Sequence, residues 1–216
     1  YPERTVFDPA LAARLDALQA LAGAGPADVQ VTSLSGSDRV LTVAVATDRC
    51  TRSYLLREGH APALLGESRL SLIADALVPT RPVRYTARDG LAIHGYLTLP
   101  QLPPGAAPGP LPMVLLVHGG PWVRDRWGEG NTARALQQFL ANRGYAVLQV
   151  NYRGSSGYGR AHMERAIGEF AGRMHDDLVD AVRWAVAQGI ADPRRVAIYG
   201  ASYGGYAALV GATFTP

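Results

Sequence analysis

Residues 196–205 constrain the fold of this 216-residue chain more than any other stretch. A short apolar run at residues 196–199 predicts a buried strand, and the small and apolar residues after Gly205 predict a helix. Between them lies Gly200-Ala201-Ser202-Tyr203-Gly204, the pattern G-x-S-x-G. Its two glycines let a strand and a helix cross closely, so that the serine hydroxyl points out of the turn. The alternative is a helix-capping serine in a glycine-rich turn, and the rest of the chain has to decide between the two.

The composition limits the kind of protein to which this motif belongs. The net charge of +3 is mild and its arginines are scattered along the chain, which argues against nucleic-acid binding. No stretch approaches the roughly 20 apolar residues of a membrane span. Cys50 is the single cysteine, so no intrachain disulfide can form, and the compartment stays open between cytoplasm and periplasm. We therefore expect a globular protein with neither a nucleic-acid nor a membrane partner.

Two domains are predicted, with the boundary after residue 80. Asp8 and Pro9 begin a helix, and four short strands are indicated within residues 29–65. Four antiparallel strands are the size of one β-propeller blade, so residues 1–80 are predicted to be an amino-terminal helix with the last blade-like segment. A proline-containing connector is predicted at residues 78–82. The turn Arg88-Asp89-Gly90 then predicts a hairpin at the start of the second domain, residues 81–216.

Strands and helices alternate in the second domain. Three buried strands and two intervening helices are predicted, at residues 113–117, 131–143, 145–150, 175–188 and 196–199. This order predicts an α/β fold with a doubly wound, mostly parallel sheet. Ligands bind such sheets at the carboxyl ends of the strands, where His118, Arg153 and Ser202 all fall. That placement favours the reactive serine over the capping serine.

Three short motifs follow one another at these strand ends. They are His118-Gly119-Gly120-Pro121, Asn151-Tyr152-Arg153-Gly154-Ser155 and Gly200-Ala201-Ser202-Tyr203-Gly204-Gly205. Together they resemble the prolyl oligopeptidase family of serine peptidases, and more closely its acylaminoacyl-peptidase and dipeptidyl-peptidase-like branch. The resemblance implies the amino-terminal half of an α/β-hydrolase catalytic domain, preceded by the end of a β-propeller. It also implies a peptide substrate, and neither a metal nor an organic cofactor.

The same resemblance implies roles for individual residues. Ser202 is the expected acylating nucleophile, and the backbone N–H groups of Tyr203 and Gly120 are the expected oxyanion hole. Gly120 could instead be a plain turn glycine. Trp122 is expected to form a wall of the substrate pocket, with simple packing as the alternative. Arg153 is expected to brace the substrate-binding loop, and a surface ion pair is the alternative.

The chain departs from the α/β-hydrolase order, in which an aspartate and then a histidine follow the nucleophile. All five histidines precede Ser202, and the fourteen residues after it contain no Asp, Glu or His. His118 is expected to be structural rather than the general base, and His175 is expected to begin a helix. We therefore expect an incomplete catalytic domain, inactive in isolation. The rest of the same polypeptide or a second chain would complete its sheet.

Two alternatives to a serine peptidase stay open. A carboxylesterase of the α/β-hydrolase fold has similar His-Gly-Gly and G-x-S-x-G motifs, although the blade-like segment argues against it. A non-catalytic scaffold would keep the fold without the other two members of a catalytic triad.

Overall fold

The chain divides into two compact units, Tyr1–Pro79 with Arg126–Arg134 and Thr80–Asp125 with Ala135–Pro216. The computed structural model describes residues 5–21, 25–36, 39–103, 105, 109–128 and 132–215. The cap expected at Asn131 therefore lies outside the described residues.

The first unit contains a helix and a four-stranded antiparallel sheet. The carboxylate of Asp8 accepts the N–H of Leu11 at 2.8 Å and so caps the helix that the Asp-Pro pair predicts. Leu18, Leu41 and Val43 lie at the centre of a small core. The elements are α1 (Pro9–Leu21), β1 (Asp28–Leu34), β2 (Val40–Ala46), β3 (Thr51–Arg57), β4 (Ala63–Glu67) and a 3₁₀ segment (Arg69–Ala76), with the strands in the order β1-β2-β3-β4.

The second unit contains a five-stranded sheet in the order β5-β6-β8-β7-β9. Its strands are β5 (Thr80–Thr86), β6 (Ala92–Thr98), β7 (Leu111–Val117), β8 (Ala146–Asn151) and β9 (Ala191–Gly200). Strands β8, β7 and β9 run parallel, whereas the hairpin β5–β6 is antiparallel and also joins β8 in the antiparallel sense. The predicted α/β fold class is confirmed. The sheet is mixed rather than mostly parallel, because the hairpin contributes two of its four strand pairings.

Helices cover both faces of this sheet, as a doubly wound fold requires. They are α2 (Thr132–Ala141), α3 (Arg160–Glu164), α4 (Arg173–Ala187) and α5 (Tyr203–Phe214). Leu178 of α4 and Ala207 of α5 share a buried cluster with Leu97 of β6. The next residue, Thr98, points to the opposite face, where Gln137 of α2 donates a hydrogen bond to its hydroxyl. None of the described helices is long and apolar enough to cross a membrane.

The strand β5 begins earlier than the sequence indicates. The prediction of a connector at residues 78–82 is wrong for its last three residues, because β5 starts at Thr80 and includes Pro82. Within the described part of the chain, β5 pairs with β6 alone and is an edge strand. Proline is tolerated on such strands because its missing N–H can face away from the ladder.

The strand β9 forms the other edge of the described sheet. Its side chains alternate between the half-buried Val196 and Ile198 and the exposed Ala197 and Tyr199, so the prediction of a third buried strand is wrong. β9 pairs in parallel with β7, and no strand among the described residues pairs with its outer edge. A ten-residue strand with an open edge is a template for pairing with another chain.

We expect the isolated chain of residues 1–216 to self-associate, because no strand of the described residues pairs with the outer edge of β9 and a second copy can supply its backbone hydrogen bonds. Sedimentation velocity and hydrogen exchange measure this. Ala197→Lys places a charge on the exposed side of the edge strand and should shift the distribution towards smaller species. A monodisperse monomer with strongly protected amides at Val196, Ala197 and Ile198 would contradict the expectation.

Candidate active site

Ser202 occupies a strained turn between β9 and α5. Its backbone dihedrals are φ 56° and ψ −121°, and it is the one non-glycine residue with positive φ among the described residues. Such a conformation costs on the order of 1–3 kcal/mol and persists only where the surroundings impose it. The Ser202 side chain makes no capping hydrogen bond to α5, so the alternative of a helix-capping serine is wrong. The hydroxyl is not committed to the helix.

Three glycines allow the end of β7 to touch this turn. A Cβ atom on Gly204 would overlap the carbonyl oxygen of Val117, and one on Gly200 would lie 2.5 Å from the same oxygen. A Cβ on Gly119 would lie 3.2 Å from the Cβ of Ser202. A side chain at any of these positions would push β7 and the turn apart. The glycine spacing therefore places the segment after β7 directly against Ser202.

Two backbone N–H groups flank this contact and are available as donors. Tyr203 is the first residue of α5, where an N–H has no acceptor within the helix. Gly120 follows the glycine that faces Ser202 and has φ 115°. Within the described parts of the chain its N–H donates no hydrogen bond to a backbone carbonyl. Both groups can stabilise a negative oxygen that develops beside Ser202.

The ring of His118 hydrogen-bonds to Gly119 and Ser155 rather than to Ser202. Its Nδ1–H donates to the Gly119 carbonyl at 2.7 Å, and its Nε2 accepts from the Ser155 hydroxyl at 2.9 Å. Burial lowers the pKa of His118, so the ring is neutral near pH 7. These contacts agree with the structural role expected for it.

The other histidines near this end of the sheet also have partners elsewhere. His162 contacts the Tyr152 carbonyl through Nε2 at 3.2 Å, and His175 contacts the Thr215 hydroxyl at 2.9 Å. Among the residues that the structure describes, no histidine hydrogen-bonds to Ser202, and no group of three His, Cys, Asp or Glu residues could hold a metal ion. The described arrangement thus has a serine hydroxyl and two backbone N–H donors, but none of the described histidines is bonded to Ser202 in the way a general base would be.

Trp122 borders an open groove of about 500 Å³. Its side chain is 56% exposed, more than a tryptophan that serves only to fill a core. Met163 and Ile167 add apolar surface to the groove, and Arg160 lies at its margin. This placement favours the wall of a binding groove over simple packing.

Arg153 is buried and forms ion pairs with two aspartates. The residue is 1% exposed, and its guanidinium donates to Asp177 at 2.6 and 2.9 Å and to Asp89 at 2.8 and 3.1 Å. Its backbone N–H also donates to Asp177 at 2.8 Å. The alternative of a surface ion pair is therefore wrong, and the bracing interpretation fits. A direct contact between this guanidinium and substrate would require these ion pairs to break.

The acidic partners of this network are residues that the sequence interpretation missed. Asp89 was assigned only to a hairpin turn, although Arg153 holds the pKa of its carboxyl below the ordinary value. Its neighbour Arg88 donates to Asp180 at 2.8 Å and to Asp176 at 2.6 Å. Arg88 thus attaches the β5–β6 turn to α4, while Asp89 attaches the same turn to Arg153 in the loop after β8. The sequence carries one signal of this network, because the aspartates at 176, 177 and 180 are spaced to lie about one turn apart on a helix.

We expect Arg153→Met to destabilise the protein by about 3–5 kcal/mol, because it leaves Asp177 buried without its cation. Arg160→Met is the matched control, since the Arg160–Glu164 pair is exposed and should contribute about 0–1 kcal/mol. Urea denaturation at equal protein concentration measures both. Equal midpoints for the two variants would show that the buried pair is not structural.

A strained serine between a strand and a helix, at the carboxyl ends of parallel strands, defines an α/β-hydrolase type of site. Residues 131–216 match the sequence model of the prolyl oligopeptidase family. The resemblance to that family, which the three motifs predict, is thereby confirmed.

Named relatives extend the similarity over nearly the whole chain. The chain is 46% identical over 220 residues to dipeptidyl aminopeptidase BIII of Pseudoxanthomonas mexicana, covering 99% of this chain and 31% of the relative. It is 44% identical over 150 residues to dipeptidyl peptidase family member 6 of Caenorhabditis elegans, covering 61% of this chain and 20% of the relative. A solved puromycin hydrolase superposes with a TM-score of 0.74 at 27% identity, covering 89% of this chain and 29% of the hydrolase chain. The chain therefore spans less than a third of the length of each.

Proposed function

We propose that this chain provides the nucleophile and the oxyanion hole of a serine peptidase of the oligopeptide, acylaminoacyl or dipeptidyl type. The observation that carries the proposal is the strained backbone of Ser202, whose uncommitted hydroxyl lies against Gly119 at the end of β7. Strain of this kind at a turn between a strand and a helix is a feature of hydrolase nucleophiles. The peptidase names of the family and of the relatives support the same reaction.

The proposed reaction proceeds through an acyl-enzyme. The Ser202 oxygen attacks the carbonyl carbon of the scissile peptide bond while a general base takes the hydroxyl proton. The carbonyl oxygen becomes negative and accepts hydrogen bonds from the N–H groups of Gly120 and Tyr203. The C–N bond then breaks, and the leaving amine takes the proton from the base. A water molecule, activated by the same base, hydrolyses the ester and regenerates Ser202.

The general base and its acidic partner are proposed to come from polypeptide outside residues 1–216. That polypeptide is the rest of the same protein or a second chain, and it would also pair with the outer edge of β9. Two observations support this proposal. The described histidines near the sheet end have partners other than Ser202, and β9 has an open edge within the described sheet.

The groove beside Trp122 is proposed to bind a side chain of the peptide substrate. Met163 and Ile167 give the groove apolar surface that suits an uncharged side chain, while Arg160 and Glu164 add an oppositely charged pair to its lining. Arg153 is proposed to act indirectly, because it holds the loop after β8 through Asp177.

A carboxylesterase and a non-catalytic scaffold are the alternatives. Cleavage of an aminoacyl anilide compared with a short acyl ester separates a peptidase from an esterase. Labelling of Ser202 by a fluorophosphonate, in the active enzyme that contains this sequence, separates either enzyme from a scaffold, which would not react.

In that active enzyme, we expect Ser202→Ala to reduce turnover by at least about 10³-fold, because the nucleophile is removed. Thermal unfolding should change little, because alanine keeps the Cβ atom and therefore the same backbone strain as serine. The reference variant is Ser156→Ala, a nearby serine without a proposed role. Near-normal turnover in Ser202→Ala would contradict the assignment of the nucleophile.

For residues 1–216 alone, we expect negligible peptidase activity, because a serine hydroxyl without a general base is a weak nucleophile. Anilide hydrolysis by the purified chain measures this. Sustained turnover that Ser202→Ala abolishes would mean that a base lies within these residues.

A further inference from the structure

We propose that Tyr152 and His118 are positioning residues for the oxyanion hole, and that they aim the Gly120 N–H by holding the carbonyl group of Gly119. This inference rests on the proposed function, because it assigns a role to the donor that the proposed reaction uses.

The argument begins with the geometry of one peptide unit. The carbonyl of Gly119 and the N–H of Gly120 belong to the same planar group and point in opposite directions when the bond is trans. Fixing the carbonyl therefore fixes the direction of the N–H. Glycine at both positions leaves the flanking dihedrals unusually free, so this plane could rotate unless other groups hold it.

His118 holds the carbonyl from one side. The Gly119 oxygen can only accept, so the proton of the neutral ring lies on Nδ1, 2.7 Å away. Nε2 is then an acceptor, and the Ser155 hydroxyl donates to it at 2.9 Å. Ser155 is fully buried, so water does not compete for this bond. The Gly119 carbonyl thus sets the tautomer, and the Ser155 hydroxyl holds the opposite side of the ring so that Nδ1 stays on that carbonyl.

Tyr152, the residue directly after β8, contacts the same loop. Its single hydroxyl proton points mainly to the His118 carbonyl at 2.7 Å and is shared with the Gly119 carbonyl at 3.3 Å. The same oxygen lies 3.2 Å from Nδ1 of His118 and can accept part of that N–H, so it contacts both peptide planes and the ring that holds Gly119. Its ring stacks on His118 with centroids 4.4 Å apart, and the residue is fully buried. Burial raises the pKa of Tyr152, so the hydroxyl remains a donor at all working pH values. The two residues therefore restrain one peptide plane from different elements.

The first experiment compares two tyrosine variants in the active enzyme that contains this sequence. Tyr152→Phe keeps the ring and removes the hydroxyl, and we expect kcat to fall about tenfold with KM nearly unchanged, a fraction of the loss when an oxyanion donor is deleted. Tyr85→Phe is the matched control, because Tyr85 is also buried and donates at 2.7 Å to a backbone carbonyl, that of Asp177. Its kcat should stay within about twofold.

The second experiment exchanges His118 for two amides. In His118→Asn the side-chain nitrogen can replace Nδ1, whereas in His118→Gln it replaces the more distant Nε2. We expect Asn to retain most of the kcat and Gln to lose about tenfold or more. A peptide aldehyde, which forms a tetrahedral adduct with a negative oxygen, should lose affinity in parallel with kcat across the variants. A purely structural effect would instead track the unfolding midpoint.

The outcomes separate this inference from the proposed function. If Ser202→Ala is inactive while Tyr152→Phe matches Tyr85→Phe and the two His118 variants are equal, the positioning role is wrong and the peptidase proposal stands. If Ser202→Ala is fully active, the proposed function itself fails. If Tyr152→Phe does not fold, Ser155→Ala removes the hydrogen bond that anchors the other side of the His118 ring and should lower kcat with KM unchanged. A normal kcat in that variant would overturn the role of His118.

Discussion

The close approach of β7 to the turn around Ser202 is the contact on which the rest of the site depends. The carbonyl oxygen of Val117 occupies space that a Cβ atom at Gly200 or Gly204 would need. This approach brings Gly119 against Ser202 and forces the serine into a positive φ that its own side chain disfavours. The strained turn at Ser202, the start of α5 and the glycine loop after β7 therefore depend on a single packing constraint.

A second constraint is electrostatic and fixes the elements around the site. The Asp177 carboxylate accepts hydrogen bonds from the guanidinium and from the backbone N–H of Arg153, while the Asp89 carboxylate accepts hydrogen bonds from the same guanidinium. The network joins the β5–β6 turn, the loop after β8 and α4. Burying these charges is unfavourable unless every partner is present, so the three segments are held as a set. A loop rich in glycine and serine gains by this means the rigidity that its composition lacks.

The sequence predicted the elements whose signals are local. The Asp-Pro cap, the turn at residues 88–90 and the apolar run at 113–117 each carry their own periodicity or turn chemistry, and the structure has an element at each. The failures concern information that a local pattern lacks. An apolar run at 196–199 does not reveal how much of it neighbouring elements cover, so the partly exposed β9 was not distinguishable from a buried strand, although an incomplete sheet was expected. The burial of Arg153 depends on carboxylates 64 and 24 residues away.

The three motifs that carry the family resemblance pack against one another through aromatic side chains. The ring of Tyr152 lies 4.4 Å from that of His118 and 4.9 Å from that of Tyr203. Tyr203 in turn donates its hydroxyl to the Phe170 carbonyl at 3.0 Å. The residue next to Ser202 thus has two separable parts, since its backbone N–H lies at the start of α5 while its ring and hydroxyl fasten α5 to its neighbours. A motif tyrosine at this place is therefore explained by the packing of its side chain, because any residue except proline could supply the N–H.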